Sequence, residues 1–202
     1  MNLEEVLSKI PNYSKELGLN LEKREDRFKW FLASILFAKR ISSDIAKRTF
    51  MRLVEEGLST PNAIIRAGWD RLVNVLDSGG YVRYDFSTAT NLLEIMKKLK
   101  KEYGDLENLH DKSSSPEDLE RRLMEFKGIG PVCVNIFLRE LRGIWKNARP
   151  KPCRIAVNVA KKIGLTDVEP YESQLVRIYL EYCKKKKCRD CPVRDFCKDK
   201  IS

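Results

Sequence analysis

The stretch EFKGIGPVCVNIF, residues 125–137, restricts the fold of this chain more than any other. Gly128 and Gly130 permit positive φ and close backbone approach, and Pro131 suits the first position of a helix. Upstream, Leu119, Leu123 and Phe126 recur at helical spacing. The chain is therefore predicted to double back between two helices, with Ile129 dipping into the core and holding the turn rigid. Unpaired amides at the start of the second helix, helped by its dipole, would face an anion. The pattern reads as a helix–hairpin–helix, which grips a DNA phosphate without reading base sequence. Its plain alternative is an αα-turn that contains glycines.

Helical spacing recurs along most of the chain. Phe28–Ala38 is apolar on nearly all sides and is expected as a central buried helix. Asp44–Glu55 and Trp69–Asp77 follow, the second stopped by Gly79-Gly80; Phe86–Tyr103 keeps Ala89, Leu92, Met96, Leu99 and Tyr103 on one stripe. Ser115-Pro116-Glu117-Asp118 has the cap, the proline and the acids of a helix start. Ile155–Ile163 and Tyr171–Cys183 complete the set. No useful strand alternation and no long repeat occur, so the chain is expected to be all-α.

Lys and Arg number 39 against 29 Asp and Glu, a net charge of +10, which favours a polyanionic partner: nucleic acid first, an acidic membrane surface second. The longest apolar run, Phe31–Ala38, is far short of the roughly 18 residues that span a bilayer. The opening MNLEEVLSKI is acidic and amphipathic, unlike a signal peptide. The expectation is a cytoplasmic monomer without a membrane partner, nucleoid-associated if prokaryotic.

CKKKKCRDCPVRDFC places Cys183, Cys188, Cys191 and Cys197 in a C-x4-C-x2-C-x5-C array. Four thiolates this close can wrap one inorganic centre, either a [4Fe–4S] cluster or tetrathiolate zinc. Two disulfides are the ordinary alternative. The array lacks the paired CxxC knuckles common in zinc sites, which favours iron–sulfur. Lys184–Lys187 and Arg189 would surround the loop with positive charge, with Lys187 and Arg189 as DNA contacts.

Together these features resemble the endonuclease III branch of the helix–hairpin–helix DNA glycosylase superfamily. RFKWFLASILFAKRISSDIAKRTF is similar to its first long buried helix and the segment after it, and SGGYVRYDFSTATNLLEIM to its glycine-aromatic turn and following helix. LMEFKGIGPVCVNIFL resembles the hairpin, and Cys183–Cys197 the [4Fe–4S] loop. The resemblance implies two helical lobes, one of 1–25 with 135–202 that carries the cluster, the other a barrel-like lobe of 26–134. Its hairpin would span 118–142, and a damaged base would be flipped into the DNA-binding cleft between the lobes. It implies DNA contact by Lys127, Gly128, Ile129, Gly130, Val132 and Arg154. Lys39, with Arg40 beside it, occupies the position that enters the gap left by a flipped base. Tyr81 and Tyr84 are expected to line the cleft, while Trp30, Trp69 and Trp145 are expected in the core. His110 falls outside every motif.

Three departures matter. In bifunctional members a lysine two residues after the second hairpin glycine forms a Schiff base with the sugar; here Val132 stands there, which removes that lyase chemistry. Nearly all members carry an aspartate about 18–20 residues later, which stabilises positive charge on the sugar. The matching position is Cys153, with no acid between Leu141 and Thr166. Cations at Arg149, Lys151 and Arg154 could lower a thiol pKa, against the plainer reading of Cys133 and Cys153 as inert. The first cysteine gap is also four residues rather than six. The leading expectation is an iron–sulfur protein that recognises damaged, mismatched or distorted double-stranded DNA without the usual lyase or glycosylase chemistry. A monofunctional glycosylase with a relocated acid is the alternative, for which Asp44, Asp85, Asp167 and Glu169 are candidates. A DNA-bound redox or scaffold role is a second alternative.

Overall fold

The computed structural model describes residues 2–199, which form helices and turns with no strand among them. The α-helices among the described residues are α1 Leu3–Ser8, α2 Tyr13–Glu16, α3 Arg24–Phe37, α4 Ser43–Glu55, α5 Pro61–Ser78, α6 Asp85–Glu102, α7 Leu106–Asp111, α8 Pro116–Met124, α9 Pro131–Arg139, α10 Arg154–Ile163 and α11 Glu172–Ile178. A π turn, Tyr179–Cys183, extends α11, and 3₁₀ turns occupy Glu169–Tyr171, Cys188–Asp190 and Arg194–Phe196. No helix among the described residues is long and apolar enough to cross a membrane.

Two compact units are formed, one of Leu17–Arg149 and one of Met1–Glu16 with Pro150–Ser202. Residues 1 and 200–202 lie outside the described residues. The boundaries thus fall after Glu16 and Arg149, rather than after 25 and 134. α9 packs on α3 and α8, which keeps it with the larger unit. Trp145 holds the following segment there, stacking on His110 at 4.7 Å and donating from Nε1 to Glu107 at 3.2 Å.

Within the Leu17–Arg149 unit, α3 is the centre, with Arg27, Phe28 and Trp30–Leu36 buried. Phe31 meets Phe137 edge-on at 5.2 Å, and Trp30 Nε1 donates to the Phe137 carbonyl. Arg27 is buried with its charge matched, its Nε 2.7 Å from Glu107 and its Nη1 donating to the Leu21 carbonyl. α5 is longer than its apolar spacing suggests. Thr60 caps it by accepting from the Ala63 amide, Pro61 opens it, and Gly68 at φ 74° breaks it before Trp69. Trp69 is thereby turned outward and is 39% exposed, against the expectation that it joins the core. Gly79 stands where a Cβ would come within 2.6 Å of the Thr49 Cα, so α4 and the end of α5 approach closely. Tyr81, expected to line a cleft, is instead buried and donates its hydroxyl to the Leu36 carbonyl at 3.0 Å. Tyr84 is half-buried under Arg83.

The other unit buries Leu7 of α1 against Ala156, Val159, Ala160 and Ile163 of α10 and Leu175, Val176 and Ile178 of α11. Asn2 and Glu5 form a capping box at the start of α1. Arg177 ties this unit's segments together, pairing with Glu16 at 2.8 Å and Glu181 at 2.9 Å and donating to the Pro11 carbonyl.

Candidate nucleic-acid interface

α8 begins as its sequence suggests, with Ser115 accepting from the Asp118 amide and Pro116 at the first turn. It ends at Met124. Phe126 then plunges into the core against Phe31 and Tyr103, and Ile129 is buried after it. These two anchors fix a turn whose exposed residues are Glu125, Lys127 and Gly128. The two glycines play different parts. Gly128 is left-handed at φ 80°, and a Cβ there would stand 2.9 Å from Asn91 Cγ, closer than real contacts allow. Gly130 is extended at φ −115°, ψ 179°, with no atom within 4 Å of a Cβ position. Open space therefore lies at the head of α9, where the amides of Val132 and Cys133 have no intrahelical acceptor.

α6 holds this turn from below. Asn91 meets Gly128, Glu94 pairs with Lys127 at 3.0 Å, and Lys98 donates to the Glu125 carbonyl at 3.1 Å. Positions 91, 94 and 98 share one helix face, so a single stripe of α6 fixes both the shape and the charge of the turn. Lys127, named from sequence as a DNA contact, is exposed but already paired.

Val132 is 63% exposed on the first turn of α9 and offers only methyl groups. Cys133, next to it, is 2% exposed, and burial pushes its thiol up to about 12, so it stays protonated. Lys39 and Arg40 lie in the turn between α3 and α4; Lys39 is half-buried and close enough to oppose the Cys133 shift, while Arg40 is exposed.

Cys153, at the position matched to the family aspartate, caps the start of α10 with Arg154 exposed after it. Its backbone amide donates to Glu172 Oε1 at 2.9 Å. Glu172 is only 1% exposed, a buried carboxylate against the start of α10 that was absent from the sequence-based candidates. Its signal was its place in the first turn of α11, three residues after Glu169, where a helix-start acid is ordinary. The four named acids have local structural tasks or lie in water. Asp44 pairs with Lys47 in the first turn of α4, and buried Asp85 accepts from the Phe86 amide at 2.6 Å. Asp167 and Glu169 are exposed.

None of the six cysteines is in a disulfide. Cys183, Cys191 and Cys197 pack on the α10–α11 core, and Lys198 N anchors the tail by donating to the Lys162 carbonyl at 2.8 Å. The thiols of Cys183 and Cys191 are raised by burial and further by the other cysteines of the set; at Cys183, Lys162 opposes this. Among the described residues, no three His, Cys, Asp or Glu side chains stand together as metal ligands. The loop does carry four half-buried thiols, of which Cys183 and Cys191 each feel the charge of Cys188 and Cys197, so the donor type, though not a ready-formed ligand group, suits a thiolate-bound centre. Lys184–Lys187 and Arg189 are exposed on that loop, and Lys186 is left-handed at φ 55°.

Compared with known proteins, the chain matches no family model and no curated protein.

Proposed function

We propose that this protein binds double-stranded DNA, damaged, mismatched or distorted, through its Gly128–Gly130 turn, and that it lacks the lyase chemistry of the glycosylases it resembles. The observation that carries this reading is the division of labour in the turn. Gly128 is wedged against Asn91, Ile129 is buried, and Gly130 leaves the head of α9 open to an anion. Net charge of +10 supports a polyanionic partner, and exposed Val132 cannot form a Schiff base. Cys183, Cys188, Cys191 and Cys197 would hold a [4Fe–4S] cluster or, as the alternative, zinc. When bound, that centre would fix the loop that carries Lys184–Lys187 and Arg189, rather than take part in base chemistry. Visible colour and metal content of anaerobically purified protein, compared with Cys188→Ser and Cys191→Ser, distinguish iron–sulfur, zinc and neither.

A second reading, base excision with a relocated acid, is favoured by one feature: the buried Glu172 carboxylate beside Cys153. Single-turnover incubation with duplexes carrying uracil, a thymine–guanine mismatch, oxidised, alkylated or abasic sites tests both. Binding without base release is expected. Base release that disappears in Glu172→Gln would replace the first reading with the second, and absence of any duplex binding would end both.

A further inference from the structure

Helix α6 has a second exposed feature. Thr88, Ala89, Leu92, Ile95, Met96 and Leu99 are buried, whereas Phe86, Lys97 and Lys101 are exposed and, with Thr90, fall on the opposite side. Trp69, turned outward by the Gly68 break, lies against this side with its ring centre 5.3 Å from that of Phe86. Its Nε1 donates to Thr90 Oγ1 at 3.0 Å, and Thr90 Oγ1 donates to the Phe86 carbonyl at 2.9 Å. The indole is thus fixed to the α6 backbone while staying 39% exposed, beside a Phe86 that is 60% exposed.

Two held aromatic rings at one end of a lysine-bearing helix face are suited to unpaired bases, which stack on rings while cations follow the phosphates. Lys97 and Lys101 lie about 16 and about 22 Å beyond Phe86 at 1.5 Å per residue, a reach of several nucleotides. Neither takes part in the pairs that occupy Lys98, which faces Glu102 and Glu125, or Lys127, which faces Glu94. We propose that this face of α6 binds an unpaired stretch of DNA, with a base stacked on Trp69 and Phe86 and the phosphates passing Lys97 and Lys101. The site uses none of the hairpin atoms and does not depend on the duplex grip.

Trp30 and Trp145 are buried, so quenching of tryptophan emission by an added strand reports on Trp69. The full chain is titrated with a ~12-nucleotide oligothymidine, and anisotropy of the labelled strand gives affinity. A saturable quench is expected. Phe86→Ala should weaken binding at least about fivefold, and Lys97→Ala with Lys101→Ala should reduce the salt dependence of binding. Each change is at an exposed position, and circular dichroism checks the fold. In Gly130→Glu, which places a carboxylate at the hairpin, the oligothymidine quench should persist while duplex binding is lost. If duplex binding fails in the parent protein but the quench remains, both duplex readings fall and the α6 proposal stands. No saturable quench, or affinity unchanged in Phe86→Ala and in the lysine variants, overturns the α6 proposal. A Phe86-dependent dimer on sizing columns with no quench assigns the face to a second copy and overturns it as well.

Discussion

The two hairpin glycines look alike in sequence, yet Gly128→Ala and Gly130→Ala should behave oppositely. At Gly128, alanine must adopt φ 80°, which costs about 1–2 kcal/mol for a residue with a Cβ. The new methyl also overlaps the Asn91 amide, the far end of a half-buried side chain that can swing aside, which adds about 0.5–1.5 kcal/mol. Together these predict a loss of about 1.5–3.5 kcal/mol, a substantial share of a typical domain's 5–15 kcal/mol. Asn91→Ala, at a half-buried site, should cost little alone and should recover the crowding part in the double variant, leaving about 1–2 kcal/mol. At Gly130 the backbone is extended and the space empty, so alanine should change stability by less than about 0.5 kcal/mol. Urea unfolding followed by circular dichroism measures all four variants, and anisotropy on duplexes of unrelated sequence measures binding. Gly130→Ala should weaken duplex binding evenly across sequences while staying folded, because a methyl would occupy the proposed phosphate position. If Gly128→Ala is as stable as the parent, or if the double variant costs the sum of the single ones, the geometry of the turn is refuted.

Other perturbations probe separate parts of the molecule. Arg27→Met would leave half-buried Glu107 with only the Trp145 Nε1 hydrogen bond and should cost about 1.5–3 kcal/mol; a loss below about 0.5 kcal/mol in thermal melts would mean the pair is solvated. Glu172→Gln keeps an acceptor for the Cys153 amide and should cost about 1 kcal/mol, whereas Glu172→Ala strands the amide and should cost about 2–3 kcal/mol; equal costs would show that the hydrogen bond contributes nothing. Burial raises Cys133 from 9.0 to about 12, so the unfolded chain releases this proton first. The stability from Cys133 is therefore fully present below pH 9.0 and is lost as pH rises toward 12, and in Cys133→Ala the alkaline fall in urea midpoint should be shallower. Buried Tyr81, also raised by burial, keeps part of that fall in the variant.

The elements that sequence makes legible are those whose signal is local. α4, α6 and α10 bury regular apolar stripes, and their expected and observed limits nearly coincide. The turn between α8 and α9 is legible because Phe126, Ile129 and Pro131 each announce a fixed local role. What escaped depends on atoms far along the chain. Trp69 reads as core by composition, but the Gly68 break rotates it outward, and a single left-handed glycine inside a helical pattern gives no periodic warning. Tyr81 reads as a cleft-lining aromatic beside glycines, but its hydroxyl finds a carbonyl at the end of α3, a partner that only the folded chain provides. The start of α5 is not expected from the sequence, although Thr60-Pro61 is a regular cap-and-proline opening, because Gly68 interrupts the helical spacing before Trp69. Glu172 could not be singled out for the same reason as Tyr81: its partner, Cys153, comes from another element.

The charge layout also constrains how any polyanion could be held. Two cations flanking the hairpin turn are occupied, Lys127 by Glu94 and Lys98 by Glu102 and Glu125. A phosphate arriving there would have to break those pairs to gain a side-chain cation, and an exposed pair is worth at most about 1 kcal/mol, so the exchange yields little. The proposed grip at α9 must therefore rest mainly on backbone amides and the helix dipole, which release few counterions and carry weak salt dependence. Strand binding at the exposed Lys97 and Lys101 of the outer α6 face would, by contrast, release counterions and carry the stronger salt dependence. Orientation at the turn and electrostatic attraction elsewhere would then be separable functions of one molecule, since altering the glycines changes the first without touching the second.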